Sequence, residues 1–130
     1  MEIPSILKYT FLLHFIACLI LGLIFFLSPE IYVDVTAWPF LDPYAGRIMG
    51  SMFIGFGIAG YLGYKASSWE EVRILVYADI CWAILASISM IWMIIAYPSA
   101  PILVSGFDLL LGVLFMILFL YSYFEVKKAM

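Results

Sequence analysis

Apolar residues dominate this chain in four long runs that contain almost no charge. The runs are roughly Ile6–Leu27, Ala45–Tyr64, Val72–Ala96 and Ile102–Tyr123. Each is about as long as a helix must be to cross a hydrocarbon core of ~30 Å, and none alternates with the period of a strand. The pattern therefore predicts an all-α integral membrane protein, a four-helix bundle in which residues 1–130 form a single transmembrane domain.

The connection between the first two runs, residues 28–43, is the only long one. It opens with Ser28-Pro29-Glu30, a pattern typical of a helix start, so we expect a short interfacial helix there. The segment is then either a surface loop or a lid over an opening of the bundle. Asp42-Pro43 is a typical start of the second spanning helix, and both Ser67…Glu70 and Ser68…Glu71 have the capping-box spacing for the start of the third. The remaining turns are short, so the second, third and fourth spanning helices should be antiparallel neighbours in sequence order.

The composition agrees with a membrane protein, because 67% of the residues are hydrophobic and 12% are charged, whereas soluble domains are about half apolar. The net charge of −3 argues against a nucleic-acid partner. If the N-terminus is inside, every Lys and Arg except Arg47 lies on the inner side. The positive-inside rule therefore predicts that both termini are inside, in what we expect to be a prokaryotic cytoplasmic membrane. Cys18 and Cys81 both fall within predicted spans, so a disulfide is not expected.

Small residues line the second run. Gly46 and Gly50 form a G-x-x-x-G pair, and the small residues continue at every fourth position with Ser51, Gly55, Ala59 and Gly63. Such spacing brings helix backbones close together and drives association in membranes. Residues 55–60 also match the dinucleotide-binding pattern G-x-G-x-x-G, but no strand precedes them, so we interpret them as helix packing.

Four ionisable residues lie within or at the edge of the runs: His14, Arg47, Asp79 and Asp108. Each would cost ~2.5–3.5 kcal/mol in hydrocarbon, so each needs a partner, a cavity or a neutral form. Depth along the helices predicts two pairs, Arg47 with Asp108 and His14 with Asp79. On the first helix, the side that carries His14 should face protein rather than lipid, in contrast to the bulkier side of Phe11, Phe15 and Leu19.

Each predicted pair leaves alternatives open. Arg47 and Asp108 could be an ion pair that fixes helix register, or an anion or headgroup site at the outer mouth; Arg47 could also snorkel to the interface, with Asp34 and Asp42 as competing partners. His14 and Asp79 could be a buried hydrogen-bonded pair or a proton-linked site. A metal site is disfavoured because the ligands do not converge.

The run Trp38-Pro-Phe-Leu-Asp-Pro, the following Gly46-Arg-Ile-Met-Gly and the later Trp69-Glu-Glu-Val-Arg73 resemble small prokaryotic four-helix membrane proteins of the DoxX-like families. Those families have no established function, so the resemblance implies a fold and no catalytic residues. Small multidrug transporters share the size and helix count, but they carry a glutamate in the first helix, where this chain has His14.

No catalytic motif and no cofactor motif is evident, so we expect a protein that acts through helix–helix assembly, as a homo-oligomer or as an accessory subunit of a larger membrane complex. The alternative hypothesis is a binder or transporter of a small or lipophilic molecule that uses Arg47, Asp108, Asp79 and His14. A cavity reaching two or more of these residues would favour the alternative. A membrane enzyme is a third possibility that nothing in the sequence specifies. Membrane lipids are the expected surroundings in every case.

Overall fold

The computed structural model describes residues 1–39, 42–99 and 101–130. Within them the chain forms five α-helices: α1 (Ser5–Leu27), α2 (Pro29–Thr36), α3 (Pro43–Lys65), α4 (Trp69–Ala96) and α5 (Ile102–Ala129). Four of them, all but α2, are long and apolar enough to cross a membrane. This confirms the all-helical class and indicates a membrane protein. Phe40 and Leu41, in the predicted return to the bilayer, and Ala100, in the last turn, lie outside the described residues.

The helix starts lie where the capping signals predict them, but of Ser28, Asp42 and Ser68 only Asp42 forms a capping hydrogen bond through its side chain. The carboxylate of Asp42 accepts a hydrogen bond of 2.9 Å from the backbone N–H of Ala45, so Asp42 caps α3 as expected. At the start of α4, the Ser68 hydroxyl donates to the Glu71 carboxylate at 2.7 Å. Ser28 precedes α2 as predicted, but its side chain forms no capping hydrogen bond. These residues mark the starts of α2, α3 and α4, three of the helices that enclose the interior of the bundle.

The glycines of α3 bring its backbone against that of α1. A Cβ atom at Gly50 would overlap the backbone of Phe25 and Phe26, and one at Gly60 would lie 3.1 Å from the carbonyl oxygen of Phe11. Such close approach is the means by which helices associate without a hydrophobic driving force. Five glycines of α3 are buried, namely Gly46, Gly50, Gly57, Gly60 and Gly63.

The predicted stripe of small residues matches this buried side only in part, at Gly46, Gly50 and Gly63. Ser51 and Gly55 are exposed, and a Cβ at Gly55 would meet nothing within 4 Å. The stripe passes from Gly50 to Ser51 by a step of one residue, which turns about 100° around the helix, and each step of four residues adds about 40°. Gly55 therefore lies about 180° from Gly46. The glycines that do contact α1 are spaced by seven and three residues, which keeps them on one side.

The expectation about the sides of α1 is half right. His14 is buried, as expected, but so is Phe11, which has no exposed surface. The backbone of Phe15 lies against Gly60, and the backbone of Leu19 lies against Gly57. The bulky side of α1 therefore faces α3 rather than lipid, because the glycines of α3 leave room for it.

The helices form two close pairs, α1 with α3 and α4 with α5. The packing of α4 on α5 was predicted; α3, however, packs mainly on α1 and makes a smaller contact with α4. Both termini and the α3–α4 turn lie at one end of the bundle, here called the terminal end, and α2 lies at the other, the α2 end. Large apolar residues fill the terminal end, among them Leu7, Phe11, Val72, Val76, Phe119 and Val126. The α2 end is packed differently.

Candidate functional site

A cavity of about 320 Å³ lies in the half of the bundle towards the α2 end. Residues from all five helices and from the segment after α2 line it. Its volume falls at the lower end of the range typical of small-molecule sites, ~300–1,000 Å³. The residues that contribute most of its wall are aromatic or methionine side chains, namely Phe25, Tyr32, Trp38, Met49, Phe53, Trp82, Met90, Met93 and Phe115.

The aromatic rings form a continuous wall around the cavity. The ring of Phe25 lies 4.6 Å from that of Tyr32 and 6.1 Å from that of Phe53. Phe53 in turn lies 6.1 Å from Trp82, where α3 meets α4. The wall continues to His14, whose ring centroid lies 4.9 Å from that of Phe115. These centroid distances are those of ordinary aromatic pairs. The wall is therefore largely apolar and interrupted by few polar groups.

His14 forms the polar part of the cavity at its deep end. Its side chain is 2% exposed, and its Nδ1 lies 3.9 Å from Oδ1 of Asp79. The structure thus brings the predicted pair together, but this distance is too long for a hydrogen bond. Among the described residues, His14 Nδ1 has no hydrogen-bond partner. His14 lines the cavity itself, whereas Asp79 lies behind it and is not among the described lining residues.

Asp108 is the second polar group of the cavity, two helical turns towards the α2 end from Phe115. Its Oδ2 accepts a hydrogen bond of 3.2 Å from the hydroxyl of Tyr32 on α2. Burial, and next the charge of Asp108, raises the pKa of Tyr32, so this hydroxyl remains a donor at neutral pH. The contact ties α2 to α5, so that α2 covers the cavity.

The predicted Arg47–Asp108 pair is wrong. The Arg47 guanidinium lies 3.1 Å from a carboxylate oxygen of Glu30 and also donates to the carbonyl oxygen of Pro43 at 3.3 Å. Both members of the Arg47–Glu30 pair are about half exposed. A hydrogen bond from the backbone N–H of Glu30 and the nearby Arg47 lower the pKa of Glu30. Depth alone placed Arg47 near Asp108, but α2 brings Glu30 closer to Arg47 and Tyr32 closer to Asp108.

The helix sides that carry Asp79 and Asp108 face inwards. Ala83 and Ser87 are buried on α4, as are Ser105 and Gly112 on α5. The sequence analysis missed the aromatic wall. Trp82 could have been found from its spacing on α4, since it lies about 60° around the helix from Asp79 and about 40° from Ala86. Tyr32 could not, because nothing in a helix of eight residues tells which side faces the bundle.

In the described part of the chain, no three His, Cys, Asp or Glu side chains are arranged to hold a metal ion. Comparison with protein-family models, with curated proteins and with solved structures finds no match to this chain. The resemblance to DoxX-like families stays a prediction. The functional argument therefore depends on the site, a largely apolar cavity with a histidine at one end and a carboxylate at the other.

Proposed function

We propose that this protein binds a small, mainly apolar molecule in the cavity between its helices. The observation that carries the proposal is that one cavity reaches both His14 and Asp108. Ionisable groups are expensive inside a membrane, and they mark binding sites and pathways there more often than they serve packing. The cavity reaches two of the four ionisable residues of the spans, which favours the binding hypothesis over assembly alone.

The volume limits the size of the molecule. A cavity of ~150 Å³ in another protein takes up benzene, so one of about 320 Å³ suits a ligand on the order of a dozen non-hydrogen atoms. A whole phospholipid is much larger than this. The aromatic wall favours a ligand with a flat or branched apolar body, and the polar groups at the two ends would orient it.

Assembly remains the second candidate. Ser51 and Gly55 lie on the exposed side of α3, where a second helix could approach the backbone closely. We expect a homo-oligomer or a larger membrane complex formed on this side to leave the cavity unchanged, because the cavity lies on the opposite side of α3. We also propose that the protein resides in a prokaryotic cytoplasmic membrane.

The binding proposal can be tested by filling the cavity. Ala86 on α4 lines it, whereas Ala78, two turns earlier on the same helix, is exposed and is not among the lining residues. Biphenyl has about the size that the cavity accommodates and should raise the Tm of the purified protein in mild detergent, because a ligand of the folded state stabilises it. Ala86→Leu should abolish this rise and Ala78→Leu should preserve it.

The two leucine variants add the same side chain to the same helix, so effects of the probe on the micelle appear equally in both. Equal rises of Tm in the unmodified protein and in both variants would contradict binding in the cavity. The absence of any rise for biphenyl and for the probes described in the next subsection would remove the proposal.

A further inference from the structure

The charges around the cavity are of one sign. Among its described lining residues, Asp108 is the single residue with a formal charge, and none is Lys or Arg. The second acid, Asp79, lies behind His14. Arg47 is the only Lys or Arg in the sequence between Lys8 and Lys65, and its guanidinium is occupied by Glu30 and Pro43. An anionic ligand would therefore meet a carboxylate and no opposing cation.

The carboxylate of Asp108 has capacity for a second partner. Its Oδ2 accepts one hydrogen bond, from Tyr32, and a carboxylate has about four lone-pair positions. A carboxylate removed from water needs a charged partner and hydrogen bonds to replace the stabilisation that water gave it. One neutral donor replaces a small part of that stabilisation. A cation beside Asp108 would supply the rest.

Aromatic rings stand next to this carboxylate. Tyr32, which bonds it, packs its ring against Phe25, and Phe25 packs against Phe53. Ring faces attract organic cations, and the attraction is stronger where the contact is removed from water. An acid beside a wall of aromatic rings is the chemistry that recognises ammonium groups.

The geometry points to an amphiphilic organic cation, an amine or a quaternary ammonium compound, as the class of ligand: its charged group lies at Asp108 and its apolar body extends towards His14. This inference rests on the proposed function, since it names the ligand of the same cavity. From Asp108 to the level of Phe115, which contacts His14, the rise along α5 is roughly 10 Å, so a body about the length of a phenylpropyl group fits. A zwitterionic lipid headgroup also carries a phosphate, and no Lys or Arg among the described lining residues would meet it.

The test compares two probes of equal shape. Phenylpropyl-trimethylammonium has a fixed positive charge, and its neutral isostere carries a tert-butyl group in place of the trimethylammonium group. Titration of each into the full-length protein in mild detergent, followed by Tm, gives two apparent affinities. We expect the cation to bind at least about tenfold more tightly than the isostere, as one desolvated cation–π or ionic contact implies.

Asp108→Asn should reduce that preference to less than about threefold, since it removes the charge that the cation meets. Asp34→Asn on the exposed part of α2 is the matched control, and it should retain the full preference. If Asp108→Asn does not fold, the comparison of the two probes in the unmodified protein still decides whether a cation is preferred.

The outcomes separate this inference from the proposed function. Equal binding of the two probes, or tighter binding of the neutral one, would overturn the inference that the ligand is a cation. The proposal that the cavity binds a mainly apolar molecule would still stand. A preference that persists in Asp108→Asn would overturn the role of Asp108. Failure of both probes, together with failure of biphenyl, would overturn the binding function itself.

Discussion

His14 and Asp79 form a buried polar pair whose side chains are not hydrogen-bonded to each other. Both side chains are at most 10% exposed, their nearest N and O atoms are 3.9 Å apart, and His14 Nδ1 lacks a partner among the described residues. A buried polar group without a hydrogen bond costs ~1–3 kcal/mol. His14 is therefore held by packing against Phe115 and Phe119 rather than by a hydrogen bond to Asp79.

The two residues should nonetheless be energetically coupled. We expect His14→Leu to destabilise the protein less in an Asp79→Asn background than alone, with an interaction energy of ~0.5–1.5 kcal/mol, the lower part of the range for residues in contact. Unfolding in mild detergent for the four members of the cycle measures this. Combining His14→Leu with Asp34→Asn on the exposed part of α2 should be additive, and additivity in the Asp79 cycle as well would show that the pair does not interact.

Among the helix–helix contacts made at glycines, the contact of α1 with α3 is the closest. It depends on the absence of side chains at Gly50, Gly57 and Gly60, which lets backbone meet backbone, and at Gly63, which leaves room for the ring of Phe11. Dispersion between closely packed atoms, weak for each pair but large in sum, is the main attraction available in lipid. The pair therefore forms a stiff wall on one side of the cavity, and α4 with α5 forms the other.

Gly50→Ala should disrupt this contact. Its new methyl group would lie 2.8 Å from the carbonyl carbon of Phe25, and backbone atoms cannot rotate away, so the helices must separate. We expect a loss of ~1–3 kcal/mol, the usual cost of overpacking. Unfolding monitored by circular dichroism in detergent gives the value.

Gly55→Ala on the same helix is the control. Nothing lies within 4 Å of the position its methyl group would take, and alanine is favoured over glycine in a helix by ~0.5–1 kcal/mol. This variant should be neutral or more stable. If both variants lost equal stability, the packing of α1 on α3 described above would be contradicted, or Gly55 would be in contact with a second molecule, which the molecular mass in detergent would reveal.

At the scale of the whole molecule, the two ends of the bundle have different roles. The terminal end is filled by large apolar side chains, and the N-terminal residues are fixed to the start of α4, where the backbone N–H of Trp69 donates to the carbonyl oxygen of Met1 at 2.9 Å. The α2 end holds the cavity and the covering helix. If the termini are inside, as the basic residues predict, the covered end of the cavity faces outwards.

That orientation gives a labelling prediction. In a background carrying Cys18→Ala and Cys81→Ala, Asp34→Cys on α2 should react with a membrane-impermeant maleimide in intact cells. Lys128→Cys near the end of α5 should react only after the cells are permeabilised, because the basic residues hold that end inside. The reverse pattern would mean that the bundle is inverted and that the cavity is covered from within.

The sequence by itself determined the class of protein, the four spans and the cap at Asp42, because these depend on local apolar length and on hydrogen bonds within one turn. It also placed His14 near Asp79, since both lie at similar depth on inward sides. The tertiary structure alone decided the partners of Arg47 and Asp108 and the side of α3 that packs. Those depend on how helices rotate and on where α2 lies, and such rotations are set by close packing between distant segments, which no local pattern records.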